Sequence, residues 1–542
     1  MDLPLSPKIK PVPKPKKPSF VVELPLVICD QAQRQLDACF LASTRLVNVM
    51  IQEGRTIIAH LRSDPDWEKA RKLPAKTKPQ MQARSLAFAG MRKKHGISEY
   101  DFHKSIAQHK NAGGFRSRVG ANVAQKLATR VFNAFNEHLF GKRGLPRFKS
   151  KKRPLRSLEE KNTATGIRWD SDASEVLFAG FRLKAILPDL KKDEWLAFAL
   201  QSKTKYCRLV CKNVNGKKRH FVQLIQDGQA PIKDSVSRRL AKEGSVGGLD
   251  IGPSTLAWVT DVDAGLQKFC PQVVAPQKQI RVLQRRIDRQ RRAANPGNFL
   301  ASGVARKGAR NWVTSRRQRS SEKSLERIQS TLARQRKCSH GVLSNELMSH
   351  ALSWRDDGVS VKSLQKNFGK SVGARAPGAF LDALTRKAER AGGERTEQNA
   401  RVLKTSQYDH STQTCTRKKL SERWHSFGDG RGRVQRDIYS AFLARNARQV
   451  VDEEGVIEWA HDPEALEEAW GLLVPSLKAN GWFVEKGLSI EPVRALQTSD
   501  KQQSAGFKPA RGSNSSEAAG AKVFPKGRGL SQGASSTLKA PR

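Results

Sequence analysis

Val246-Gly-Gly-Leu-Asp250-Ile-Gly252 decides how this chain is read. A short apolar run carries one carboxylate to its end and breaks at a glycine turn. That is the pattern of a buried strand delivering an acid to its tip. A second acid stands in Gln435-Arg-Asp437-Ile-Tyr-Ser-Ala441. Between them lies Trp354-Arg-Asp-Asp357-Gly-Val, where Asp356 and Asp357 are adjacent. Carboxylates gathered from distant segments are what divalent-metal phosphodiester chemistry requires. Asp250, Asp437 and an acid of the Asp356-Asp357 pair therefore form the candidate site.

Charge names the partner class. The chain has 542 residues, with 99 Lys and Arg against 51 Asp and Glu, a surplus of +48. The length suits roughly two to four domains. The basic residues recur along most of the sequence, which points to a polyanion bound by counterion release and not to a lone charged tail. Seven cysteines are scattered and odd in number, as suits a reducing cytosol and free thiols. No run is apolar over the length a membrane span needs, and the opening residues lack the pattern of a secretory leader. The expected place is the cytoplasm, beside nucleic acid, with no membrane partner.

Residues 1–19 are Pro- and Lys-rich and read as an extended basic arm. Ser19–Ile28 reads as a strand. Leu36–Leu61 and Val119–Phe140 show helical recurrence, so a mostly helical lobe over about 30–145 is expected. Lys142–Arg153 then sets seven positive charges around one aromatic. Arg143, Arg147, Phe148, Lys149, Lys151 and Lys152 are candidate nucleic-acid contacts, cations for phosphate and a ring for stacking. Tyr206–Val214 and Arg219–Gln226 flank Asn215-Gly216, a hairpin signal. Together with Ser19–Ile28 they suggest a small β-barrel over 20–230, interrupted by the helical lobe. A polar linker at 231–245 follows. Ile280–Arg292 reads as a basic helix with Ile280, Leu283 and Ile287 on one face. Its Arg285, Arg286, Arg289 and Arg292 are further candidate phosphate contacts. A second helix is expected over about Arg317–Ser339. Residues 451–499 read as a helical extension and 500–542 as a disordered tail.

Several passages resemble TnpB, the transposon-encoded RNA-guided nuclease family related to type V CRISPR effectors. They are Gly248-Leu-Asp-Ile-Gly252, Leu283-Gln-Arg-Arg-Ile-Asp-Arg289, Asn295-Pro-Gly-Asn-Phe299, Lys307-Gly-Ala-Arg-Asn-Trp312, Gln365-Lys-Asn-Phe-Gly-Lys-Ser-Val372 and Gln435-Arg-Asp-Ile-Tyr-Ser-Ala-Phe442. The resemblance spans about 246–446 and is looser over 20–230. It implies an α/β RNase H-like RuvC nuclease domain over 246–450. It also implies an all-β oligonucleotide-fold wedge barrel and a helical recognition lobe. The implied partners are a guide RNA and a target DNA. The implied cofactor is a pair of Mg²⁺ ions held by Asp250, Asp357 and Asp437.

Two departures from the family pattern carry expectations. The family places Glu where Asp357 stands, and a carboxylate one methylene shorter predicts weakened cleavage. Glu389 is the alternative acid, read as a helix-face residue. The family's zinc-binding insert, here about 405–432, has Asp409, Ser411, Phe427 and Asp429 where thiolates belong. Cys415, His410 and His425 are too scattered to replace four ligands, so no zinc is expected. The reading is an RNA-guided DNA-binding protein with an impaired endonuclease. A nuclease-deficient guided repressor and a decayed transposon-encoded protein stand as alternatives.

Overall fold

The computed structural model describes residues 18–486, except 151–152, 215–216, 274–275, 307, 309–310, 359, 420 and 452–456. Most of the basic arm, Lys151, Lys152, the Asn215-Gly216 turn and the tail thus lie outside the described residues.

Strand β1 (Ser19–Pro25) alternates exposed and buried positions, with Phe20, Val22 and Leu24 inward, as the period of two requires. The chain then leaves the sheet for five helices: α1 (Asp30–Ser63), α2 (Pro65–Lys72), α3 (Lys78–Lys94), α4 (Glu99–Ala112) and α5 (Ala121–Leu139). Leu36, Phe40, Leu46, Met50 and Leu61 make the buried stripe of α1, at helical spacing. At Gly54 a Cβ would lie 2.2 Å from the Phe135 ring, so only glycine lets α1 and α5 approach this closely.

The chain returns through β2 (Ser157–Glu159), a meander of β3 (Arg168–Asp170), β4 (Glu175–Phe178) and β5 (Phe181–Lys184), and the short helix α6 (Glu194–Gln201). The long hairpin of β6 (Thr204–Val214) and β7 (Lys217–Asp227) follows. β1 pairs antiparallel with β7, in the order β1-β7-β6-β2, so the helical lobe is an insertion between partner strands.

After a turn of helix, α7 (Asp234–Ser237), the second sheet begins with β8 (Val246–Ile251), β9 (Thr255–Val259) and β10 (Ala264–Lys268). Helices α8 (Gln277–Ala293) and α9 (Arg316–His350) form a long antiparallel excursion, followed by β11 (Ser353–Asp356). Helices α10 (Val361–Arg375) and α11 (Pro377–Arg390) lead to β12 (Arg395–Glu397). The sheet order is β10-β9-β8-β11-β12. Its first three strands are an antiparallel meander, and β11 and β12 run parallel to β8.

The insert contains α12 (Ala400–Leu403), β13 (Tyr408–Asp409), β14 (Thr414–Cys415), β15 (Trp424–Ser426) and β16 (Gly432–Gln435). Helix α13 (Arg436–Asn446) lies across β8. The described chain ends with β17 (Arg448–Val451), β18 (Ile457–Ala460), α14 (Pro463–Ala479) and β19 (Phe483–Glu485).

Three expectations are corrected. Helix α9 runs to His350 and not to Ser339, because Leu343, Leu347 and Met348 continue the apolar face into the core. Residues 451–486 are not an appended helical extension. β19 pairs with β16, and Leu466, Trp470, Leu473, Leu477 and Phe483 share a core with α13. His410 and His425 are not scattered, since both are buried against Tyr439.

Candidate carboxylate site and nucleic-acid faces

Backbone register explains why distant acids meet. β11 runs parallel to β8 with Asp356 opposite Leu249. One residue further on each strand stand Asp357 and Asp250, which therefore emerge side by side at the carboxyl ends of neighbouring strands. Open α/β sheets place ligands at those ends.

The alternation of side chains also separates the adjacent pair. Asp356 is buried and turned to Arg395, whose Nε is 2.7 Å from Oδ2 and whose terminal nitrogen donates to Oδ1 at 3.0 Å. It is a structural ion pair. Asp357 turns the other way and accepts from the Thr405 hydroxyl at 3.3 Å.

Asp437 comes from the first turn of α13, where the helix dipole favours a carboxylate. Gln435 caps that helix by accepting from the Ile438 N–H at 2.8 Å. Two features hold α13 against the sheet. A Cβ on Gly248 would lie 2.0 Å from the Ala441 carbonyl oxygen, so the glycine makes the close approach possible. Arg355 of β11 donates to the carbonyls of Arg445 at 2.8 Å and Ala447 at 2.9 Å, closing the far end of the helix.

The three acids share one field. The Asp250 carboxyl is pushed well above the usual carboxylate range, first by loss of water, then by the charges of Asp357 and Asp437. Arg436 opposes this, and also donates to Asp437 at 3.2 Å. Three carboxylates are hard oxygen donors of the kind Mg²⁺ takes. Among the described residues, however, no group of three or more His, Cys, Asp or Glu side chains is drawn together closely enough to hold a metal ion. Glu389 is exposed on α11 and is not among the charges acting on Asp250. Thr405 and Arg436 were not among the predicted site residues. Arg436 borders Asp437 in sequence, whereas nothing local marks Thr405.

The basic segment after α5 is fastened to α1. Asn48 binds the backbone of Lys149 in both directions, at 2.9 and 2.7 Å, and Arg55 donates to the Pro146 carbonyl at 3.1 Å. Arg147, Phe148 and Lys149 are exposed on this held segment, with the Arg55 guanidinium 4.9 Å from the Phe148 ring centre. Clefts of 530 and 460 Å³ adjoin it, and Lys149 lines both. Arg143 is exposed and paired with Glu137 at 3.1 Å. Lys151 and Lys152 lie outside the described residues.

On α8, Arg285, Arg286 and Arg289 are exposed, while Arg292 is occupied by Asp288 and the Gly303 carbonyl, each at 2.7 Å. A neighbouring feature went unpredicted. Asn295 ties Arg291 to Val313 through its side chain, and Arg291 lies 3.9 Å above the Trp312 ring.

No family model matches this sequence, and no curated protein matches it. Among the solved structures that match are two complexes of Cas12f proteins. A Cas12f1–sgRNA–target DNA complex is 10% identical, with 79% of this chain and 99% of that chain covered and a TM-score of 0.41. A CRISPR-Cas12f ternary complex is 12% identical over the same shares, with a TM-score of 0.25. Both scores are low, and the site stands on its own geometry. No helix among the described residues is long and apolar enough to cross a membrane.

Proposed function

We propose that the chain is an RNA-guided DNA-binding protein of the TnpB type, with a metal-dependent nuclease site of reduced power. The observation that carries this is the pairing of Asp250 and Asp357 at the ends of parallel β8 and β11, with Asp437 brought over them by α13. The sheet order β10-β9-β8-β11-β12 supports an RNase H-like reading of 246–450.

Asp250, Asp357 and Asp437 would hold Mg²⁺, which when bound supplies an activated water and a stabilised leaving oxygen. Thr405 orients Asp357, and Arg436 holds Asp437 while tempering the negative field. Exposed cations on 142–149 and α8 bind phosphates irrespective of sequence, and base pairing with a guide selects the target. The Asp357 side chain, one methylene shorter than the Glu of the family pattern, underlies the reduced power.

Cleavage of guide-matched DNA in Mg²⁺ tests the reading. Asp250→Ala should abolish cutting and spare binding, and Asp357→Glu should raise cutting by on the order of tenfold or more. Strong cutting that survives Asp357→Ala would overturn the assignment. The same reading leaves the insert without zinc, because Asp409, Ser411, Phe427 and Asp429 stand at the thiolate positions. Elemental analysis finding about one zinc per chain would overturn that part.

A second reading, guided binding without cutting, is favoured by one observation. The described acids share a field without closing into a metal-holding group. Tight guided binding with no cleavage from either Asp357 or its Glu variant would select it.

A further inference from the structure

A cleft of 730 Å³ lies away from the acids, where the first sheet region, the linker and the second region join. Its volume is that of small-ligand sites. The Pro231 carbonyl forms the joint, accepting from the Trp195 indole at 2.8 Å and from Arg390 at 2.9 Å. The lining is cationic. Lys233, Arg239, Lys387 and Arg390 stand there with one acid, Glu346. Lys233 has a distant ion pair with Asp193 at 3.6 Å, and Glu346 takes a long hydrogen bond from Gln267 at 3.5 Å. Val236, Leu240, Val342 and Met348 supply apolar walls beside the Trp195 ring.

Two of these cations are poorly compensated. Lys387 donates to the Gly341 carbonyl at 2.7 Å and to Asn345 Oδ1 at 2.5 Å, both neutral acceptors. Burial, then the neighbouring Arg390, pulls its ammonium down to about 8. The Arg390 Nε is buried with no hydrogen-bond partner. Half-buried cations facing neutral groups are costly, and a bound anion offsets that cost. The apolar walls and the oriented indole require that the anion also carry a flat apolar part.

We propose that this cleft binds one nucleotide, with its phosphate against Lys387 and Arg390 and its base against the Trp195 ring and the apolar wall of Val236 and Leu240. A nucleotide joins an anion to an aromatic ring, the two features this lining holds together, and base–aromatic stacking tolerates any base. An acidic peptide supplies the charge but not the ring. The nucleotide comes either free or as one unit of an RNA strand. Only the strand case rests on the guided reading above.

Photo-crosslinking of the full chain tests this, with 8-azidoadenosine 5′-monophosphate in one arm and a 4-thiouridine-containing RNA in the other. Labelled peptides are mapped by mass spectrometry. Label should fall on the segments holding Trp195 and Val236, and AMP should displace it at least tenfold better than adenosine. Arg390→Gln should cut labelling about tenfold, the loss of one charge-assisted bond. Val342→Trp should block labelling by filling the cleft, and Val342 is 62% exposed, so the fold tolerates it.

Labelling by the mononucleotide alone supports a free-nucleotide site, and labelling by the RNA alone assigns the occupant to a strand. Label spread over the cationic surface, equal competition by adenosine or by poly-glutamate, or no cleft label in either arm overturns the proposal. Cleft labelling in a chain that shows no guided DNA binding would sink the guided reading and leave the cleft site standing.

Discussion

Helix α13 serves two regions that treat their polar groups in opposite ways. Asp437 and Tyr439 are two residues apart, which on a helix sets them on different faces. Asp437 joins Asp250 and Asp357, and their charges, after loss of water, raise the Asp250 carboxyl against the opposing Arg436. Tyr439 enters the insert, where hydrogen bonds and ring stacking hold most polar groups, although His410 Nε2 and His425 Nε2 are buried without a hydrogen-bond partner. Its hydroxyl accepts from the His410 backbone N–H at 3.0 Å and bonds the His410 Nδ1 at 2.6 Å. Asp409 accepts from Ser411 N–H at 3.0 Å and Gly428 N–H at 2.8 Å, and the His425 ring stacks on Tyr439 at 4.3 Å.

Where thiolates would stand in the insert, the structure has a core of packed aromatic rings and hydrogen-bonded side chains around Tyr439. Where the acids remain, Arg436 and Arg423 lie beside Asp437, yet Asp250 keeps a raised carboxyl. Places where local consistency breaks down mark function more often than places where it holds.

The comparison breaks most readily at the insert. Trp470 is 3% exposed and packs its ring 5.1 Å from Phe427, 5.3 Å from Phe442 and 5.7 Å from Phe483. Trp470→Ala should cost about 3–5 kcal/mol, the range for a buried aromatic truncated to a methyl. Denaturant unfolding would measure it. A loss under about 1 kcal/mol would mean that the aromatic cluster does not hold the insert.

The next effect lies at the seam between the two regions. Gly248→Ala drives a methyl toward the Ala441 carbonyl oxygen and the Arg445 backbone, so α13 must shift. Overpacking of this kind costs about 1–3 kcal/mol. Because the shifted helix carries Asp437, cleavage should fall further than stability alone accounts for. Wild-type cleavage in a destabilised variant would show that α13 does not set the acid geometry.

The legibility of these regions in the sequence follows from how local each signal is. The β8 strand, its terminal Asp250 and the helical lobe are written in short-range periodicity. So is the β6–β7 hairpin. The choice between Asp356 and Asp357 is not, because it depends on register against β8 and on Arg395, 39 residues away from Asp356. The meeting of His410 with His425 likewise depends on Tyr439 from a later helix. Residues 451–499 read as a helical extension because a sequence pattern can suggest a helix without naming what covers its buried face. The 730 Å³ cleft had no sequence signal at all, since its lining comes from segments nearly two hundred residues apart.

The smallest effect is the most diagnostic of the contrast, and it turns on sign. The Asp250 carboxyl titrates higher in the folded chain than in an unfolded one, so the folded state holds the extra proton. Its contribution to stability is then full below the unfolded value, about 4, and is lost as pH rises through the higher folded value. Asp250→Asn removes that loss, because the amide carries no charge at any pH. In metal-free buffer the melting temperatures of variant and parent should nearly coincide at pH 4. At pH 8 the variant should melt about 2 °C higher or more. Mg²⁺ should raise the parent at pH 8 and leave the variant less affected, because one of three carboxylates is gone. A constant gap across pH would refute a raised Asp250 carboxyl as the feature separating this site from the insert. Equal stabilisation of both forms by Mg²⁺ would place cation binding elsewhere in the chain.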